Sequence, residues 1–112
     1  MQISITARRF TLNDDLREYV EKEVSHLDRF YDGIIDADVV LGWEKRTRFV
    51  EITLKINGAV LVAHDRSEKM EKSVDSVVEK LERQLKKYKE KKQGYNHEKI
   101  LEKTVMETGG EE

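Results

Sequence analysis

A strip of lysine and arginine side chains runs along one side of residues 67–92 when this segment is wound as a helix. At about 100° per residue, the strip contains no carboxylate and consists of Lys69, Ser73, Ser76, Lys80, Arg83, Lys87 and Lys91. The acidic residues fall on the far side: Glu68, Glu71, Asp75, Glu79 and Glu82. A helix face that only keeps a protein in solution mixes both signs, whereas a cationic strip attracts phosphates. The strip therefore predicts a polyanionic partner, with nucleic acid as the leading candidate.

The formal net charge of −2 conceals this polarity. Residues 80–92 carry seven cations and two carboxylates, a formal charge of +5, which leaves −7 for the rest of the chain. A nucleic-acid binder is usually basic overall, but a local excess of this size is sufficient to contact phosphates. The sequence therefore predicts a polarised surface.

A weaker group of cations lies beside the apolar side of the first predicted helix, at Lys22, His26 and Arg29. We expect the two helices to share one cationic surface. Five further cations, which follow the first strand or lie at the first hairpin tip, would extend it: Arg8, Arg9, Lys45, Arg46 and Arg48. The alternative is that these charges are simply solvated. On the second helix the sorting of five cations favours binding.

Other chemistry has little support in the sequence. The histidines His26, His64 and His97 have no helical pairing, and the chain contains no cysteine, so we predict no metal site. No glycine-rich phosphate loop and no nucleophile beside a positioned base can be recognised. We therefore expect a protein that is not an enzyme, with no cofactor and no small-molecule substrate.

The periodicity predicts the elements that must position the cations. Residues 2–7 alternate as a strand, and residues 12–31 follow a helical period that ends at Gly33. Alternation then predicts a strand that buries Ile35 and Trp43, and another from Phe49 to Ile56. A last helix follows from Ser67 to about residue 92. Among the aromatic residues of the core, Tyr88 lies between two lysines and is the candidate for stacking on a base or sugar.

The pair Asn57-Gly58 is the strongest hairpin signal, because a type I′ turn needs positive φ at both positions. Such a turn sets three apolar pairs on one face of the sheet: Ile56 with Ala59, Leu54 with Leu61, and Ile52 with Ala63. The predicted fold is an α+β, βαβββα two-layer sandwich, in which two helices cover one face of a four-stranded sheet.

The chain of 112 residues is long enough for one domain, which we place at residues 1–92. Residues 93–112 lack strong apolar periodicity and are predicted to be a flexible tail, in which Ile100, Leu101 and Val105 allow a short helix at most. We see no signal peptide, no membrane span and no disulfide framework, so we predict a cytoplasmic protein without a membrane partner.

Five segments carry a family resemblance: Thr6-Ala7-Arg8, residues 16–22 (LREYVEK), Asn57-Gly58, residues 67–70 (SEKM), and Asp75 with residues 80–89 (KLERQLKKYK). In these segments the chain resembles the ribosome hibernation promoting factor family, over residues 1 to about 92. The resemblance implies a fold similar to double-stranded RNA-binding domains. It also implies binding to the small ribosomal subunit between head and body, in the mRNA channel and tRNA sites, which silences translation in starved or stressed cells.

The resemblance also implies contacts between rRNA phosphates and Arg8, Lys22, Arg29, Lys80, Arg83, Lys86, Lys87, Lys89 and Lys91. The chain departs from the family at Ala7, where glycine is usual, and near Lys69, where an acidic residue is usual. Long members add a C-terminal domain that pairs two ribosomes. This chain is therefore either a short form or the N-terminal domain of a longer protein, and whether it promotes or opposes pairing stays open.

Two other functions are compatible with the residues alone. The basic helix could pair with a partner protein, in which case binding would be indifferent to nuclease and to ribosomes. A generic double-stranded RNA binder would instead bind plain RNA duplexes as well as ribosomes.

Overall fold

A computed structural model describes residues 1–94 and 104–107, and for residues 91–94 and 104–107 it describes the backbone alone. The elements are strand β1, helix α1, a 3₁₀ turn, strands β2, β3 and β4, helix α2 and a short strand β5. Their bounds are Gln2–Arg8, Asp14–Ser25, His26–Arg29, Ile34–Glu44, Thr47–Ile56, Ala59–Ser67, Met70–Gly94 and Thr104–Glu107. The order of the first six strands and helices is the predicted βαβββα order.

The strands lie in chain order across the sheet, from β1 to β5. Strand β1 pairs in parallel with β2, whereas the β2–β3 and β3–β4 pairs are antiparallel. A parallel pair needs a crossover connection, which α1 supplies. The α+β sandwich predicted from the sequence is confirmed.

The Asn57-Gly58 turn sets the predicted register of the β3–β4 hairpin, with Ile56 paired to Ala59, but it is not the predicted type I′ turn. That turn needs positive φ at both positions, whereas here Gly58 has φ of 86° and Asn57 does not have positive φ. The buried apolar residues of both strands consequently share one face. On that face they pack against the buried side of the two helices, which includes Val20, Val24, Val77, Leu81 and Leu85.

The structure corrects two assignments to the core. Ile35 is 48% exposed, because the β2–β3 register is irregular between Ile34 and Asp36 and Ile34 takes the buried place. Trp43 is 43% exposed, since it lies near the end of β2 and beyond the buried core. Both residues follow the alternation of a strand. Alternation alone does not reveal a bulge, nor does it show where the helices cease to cover the sheet.

Part of the predicted tail adopts regular structure. Thr104–Glu107 forms β5, which pairs in parallel with Ala59–Val62 of β4, where the sequence allowed a helix at most. Ile100 and Leu101, and residues 95–103 and 108–112 as a whole, lie outside the described residues. Within the described part of the chain, no helix is long and apolar enough to cross a membrane.

Candidate nucleic-acid interface

Four exposed cations of α2 lie on its later turns, which end beside the β3–β4 turn. Arg83, Lys86, Lys87 and Lys89 are all exposed. The helix is fixed there by Tyr88, whose hydroxyl donates a 3.1 Å hydrogen bond to the carbonyl of Asn57. The Tyr88 ring also meets Tyr31 edge-on, with ring centroids 5.6 Å apart. Tyr88, the residue predicted as a stacking candidate, therefore anchors α2 to the sheet.

A cavity of about 390 Å³ opens at the same end of the molecule. Arg29 from the 3₁₀ turn and Lys89 from α2 both line it, together with Phe30, Tyr31 and Asn57. The ammonium of Lys86 lies 5.3 Å from the centroid of the Phe30 ring, a cation–π contact. The fold thus brings cations from both helical segments together, and we call Arg29, Lys86 and Lys89 the distal cation cluster.

Lys80 is not on the exposed surface, contrary to the sequence prediction. The residue is 8% exposed, and its ammonium donates a 3.1 Å hydrogen bond to the carbonyl of His64. It also lies 3.5 Å from Oδ2 of Asp65. The Lys80 ammonium is therefore engaged within the fold, next to the last residues of β4.

The rest of the strip near Lys80 also faces β4 and its neighbours. Ser73 donates a 2.7 Å hydrogen bond to the carbonyl of Arg48, and Ser76 donates to the Asp65 carboxylate. Gln84, which was not in the predicted strip, donates a 3.0 Å hydrogen bond to the carbonyl of Val62. The helical projection placed Ser73, Ser76 and Lys80 on one side of α2 correctly, but that side contacts the sheet at these three residues. Two short serine side chains on a strip otherwise made of long cations were the available signal.

Asp65 illustrates the electrostatics of this contact. Burial acts to raise the pKa of its carboxyl, but hydrogen bonds from Ser76 and from the backbone N–H of Arg66, with the Lys80 ammonium, outweigh burial. The net result is a pKa below the usual value. The charged carboxylate is thus the stabilised form.

The groove between the two helices is mainly acidic, so the shared cationic surface expected from the sequence is limited to the distal cation cluster. The lining of the groove includes the carboxylates Glu23, Asp75, Glu79 and Glu82, beside His26 and Arg29. The Tyr19 hydroxyl donates a 2.5 Å hydrogen bond to Asp75, and this bond, with burial and nearby carboxylates, raises the pKa of Tyr19. The acidic side of α2 therefore faces α1, and most of the exposed cations of α2 in the described side chains lie on its later turns.

The remaining predicted site residues are dispersed. Lys22 is exposed on α1. Arg8 is exposed at the end of β1. It pairs in register with Gly42 of β2, and Gly42 pairs in turn with Phe49 of β3, so the three residues lie side by side across the sheet. From Phe49 to the hairpin turn, β3 extends on the order of 23 Å, so Arg8 lies far from the distal cation cluster. Lys91 lies within α2, and its side chain is outside the described residues.

Comparison with known proteins identifies the family of this chain. Residues 3–93 match the family model described as sigma 54 modulation protein / S30EA ribosomal protein. The chain belongs to this S30EA family. The matched residues include β1, α1, the β2–β4 sheet and nearly all of α2, so the resemblance found in the sequence is confirmed.

Individual relatives of the S30EA family agree with this assignment. A ribosome hibernation promoting factor from Azotobacter vinelandii is 40% identical over 91 residues, which are 81% of this chain and 85% of the relative. The N-terminal domain of Thermus thermophilus Protein Y superposes with a TM-score of 0.73 at 30% identity, covering 79% of this chain and 99% of that one. A ribosomal subunit interface protein from Coxiella burnetii gives a TM-score of 0.77 at 32% identity, covering 81% and 100%.

Proposed function

We propose that this S30EA family member is a ribosome hibernation factor that binds the small subunit through rRNA phosphates. The observation that carries the proposal is the group of exposed cations at the distal end, held in place by Tyr88 and Phe30. The proposed contacts at the distal end are those of Arg29, Arg83, Lys86, Lys87 and Lys89. Lys22, Lys91 and Arg8 are proposed as further contacts outside this group. Lys80, which the family resemblance also implies, supports this surface from inside the fold.

The proposed mechanism is steric and involves no covalent step. Contacts to phosphates position a protein without reading sequence, so the shape of the folded rRNA must supply the specificity. A sandwich docked in the mRNA channel and tRNA sites excludes both ligands, which would silence translation in the cytoplasm of starved or stressed cells. Because the binding energy comes from released counterions, affinity should fall steeply as salt rises.

Co-sedimentation with purified ribosomes and separated subunits, across a salt series, tests this function. We expect binding to the small subunit and to the intact ribosome. A double variant, Arg83→Ala with Lys87→Ala, should bind more weakly and lower the slope of log affinity against log salt by roughly two. The matched control is Lys69→Ala with Lys72→Ala, which removes the same charge near the start of α2, where both lysines are exposed.

The outcomes separate the proposed function from its alternatives. Binding of the parent chain that is insensitive to salt and to nuclease would favour a protein partner instead. Equal affinity for a plain RNA duplex and for the small subunit would indicate a generic duplex binder. If the control variant lost as much affinity as the distal double variant, the proposed surface would be wrong.

A further inference from the structure

Two aromatic rings stack at the end of the sheet opposite the distal cation cluster. Phe10, just after β1, lies parallel to Trp43, with ring centroids 5.1 Å apart and an angle of 6° between the planes. Trp43 remains 43% exposed in spite of this contact. The pair is held by backbone geometry, because Arg9 has φ of 72° and turns the chain directly before Phe10. The exposed part of Trp43 is therefore accessible to a partner at this end of the sheet.

Arginine side chains accompany the aromatic rings on both faces of the sheet. The guanidinium of Arg48, the register partner of Trp43, lies 4.3 Å from the centroid of the Trp43 ring. The guanidinium of Arg66, the register partner of Phe49, lies 5.1 Å from the centroid of the Phe49 ring. The neighbouring exposed cations are Arg8, Arg9, Lys45 and Arg46. The carboxylate of Glu44 is also nearby, and it pairs with Arg66 at 3.4 Å.

A groove of about 720 Å³ leads inward from the aromatic stack. Phe10, Trp43 and Arg48 form part of its lining, together with Leu16 and Met70, and the carboxylates of Asp15 and Glu71 lie in it as well. Carboxylates repel a phosphate but accept hydrogen bonds from the N–H groups of a base. The groove therefore suits the base of a nucleotide, whereas the cations outside it suit the phosphates.

We infer that the Phe10–Trp43 surface binds an unpaired nucleotide of RNA. Its base takes the place of the Arg48 guanidinium on the Trp43 ring, while Arg8, Arg9, Lys45 and Arg46 contact the adjoining phosphates. Aromatic residues interleaved with cations are the usual means of holding single-stranded nucleic acid. The inference rests on the proposed function, since it assigns this end of the molecule to the same ribosomal partner. It also explains why Arg8 lies far from the distal cation cluster: each end of the sandwich would contact RNA separately.

Photo-crosslinking on the ribosome tests whether position 43 lies next to an rRNA nucleotide. The Trp43→p-benzoylphenylalanine variant keeps an aromatic ring at the site and is irradiated after sedimentation with purified small subunits. Crosslinks to unpaired rRNA nucleotides, mapped by primer extension, are the expected result. Crosslinks to protein alone, or none at all from a variant that sediments with the subunit, would overturn the inference and leave the proposed function intact. Failure of the parent chain to sediment would instead overturn the proposed function.

Affinity measurements provide a second test that is independent of crosslinking yield. Stacking on an aromatic side chain accounts for about a ten-fold change in affinity or more, so Trp43→Leu should weaken small-subunit binding roughly ten-fold, and Trp43→Phe should retain most of it. The matched control is Ile35→Ala, which removes another exposed apolar side chain at the far end of β2. Thermal unfolding of each variant establishes that it is folded. Equal losses at positions 35 and 43, or no loss at 43, would contradict the inference.

Discussion

The ammonium of Lys80 lies 3.5 Å from the carboxylate of Asp65, and this pair connects the middle of α2 to β4. The side chain of Lys80 is 9% exposed and that of Asp65 is 34% exposed, so water screens the pair less than it would a fully exposed pair. A lysine that appears on a helical projection to be the centre of a binding strip is therefore part of the support for that strip. The lysines six, seven and nine positions later are exposed and can contact phosphates.

The first prediction concerns the stability of the fold. Lys80→Ala leaves the His64 carbonyl and the Asp65 carboxylate without their donor, and we expect it to lower the free energy of unfolding by about 2 kcal/mol. Arg83→Ala and Lys87→Ala remove exposed charges and should change it by less than about 0.5 kcal/mol. Urea unfolding followed by circular dichroism measures both effects. Lys80→Met keeps the buried methylene groups and should show how much of the loss is packing. Comparable stability of all these variants would contradict the buried role of Lys80.

The second prediction concerns acid sensitivity. The pKa of the Asp65 carboxyl is lowered in the folded state, so its contribution to stability is complete above the unfolded value of about 3.9 and is lost as pH falls through the lower folded value. Asp65→Asn should therefore destabilise the protein at pH 7, and the difference from the parent chain should shrink below about pH 4. Unfolding in urea at a series of pH values from 7 to 3 measures this difference. A gap that stays constant over that range would show that the charge of Asp65 is not involved.

The third prediction concerns the contact between the two helices. The Tyr19 hydroxyl donates to Asp75, so Tyr19→Phe should cost about 1 kcal/mol at neutral pH. Because the pKa of Tyr19 is raised on folding, its contribution is present below the unfolded value of about 10 and is lost as pH rises above it. A double-mutant cycle with Asp75→Ala, measured at pH 7 and again above pH 10, isolates the pair. A coupling energy near zero at pH 7 would rule the contact out.

Local rules in the sequence were sufficient for the framework of the fold. The Asn57-Gly58 turn fixes a register of period two, so one dipeptide determines which face every residue of β3 and β4 occupies. The change from a strand period to a helical period likewise located both helices. These features depend on residues that are close together in the chain, so they can be read from a single sequence.

The contents of the site depend on tertiary contacts that periodicity does not encode. A helical projection gives the side of α2 on which Lys80 lies, but not that the Asp65 carboxylate and a β4 carbonyl occupy the space beside it. The same limit applies to Trp43, which continues the alternation of β2 past the end of the core. Its stacking partner Phe10 follows the other strand of a parallel pair, and no local signal joins the two rings.

The last prediction links the hairpin turn to the distal surface. Gly58 has φ of 86°, and a Cβ at this position would lie 3.1 Å from the Tyr88 hydroxyl, which bonds to Asn57. Gly58→Ala should therefore lower the free energy of unfolding by about 1–2 kcal/mol, through backbone strain, and displace the anchor of α2. Gly42→Ala is the matched control, since its Cβ would meet Phe49 at an ordinary 3.7 Å. If Tyr88 fixes the distal cations, small-subunit affinity at a temperature where both variants are folded should fall for Gly58→Ala alone. Equal affinities would show that the cations bind without this anchor.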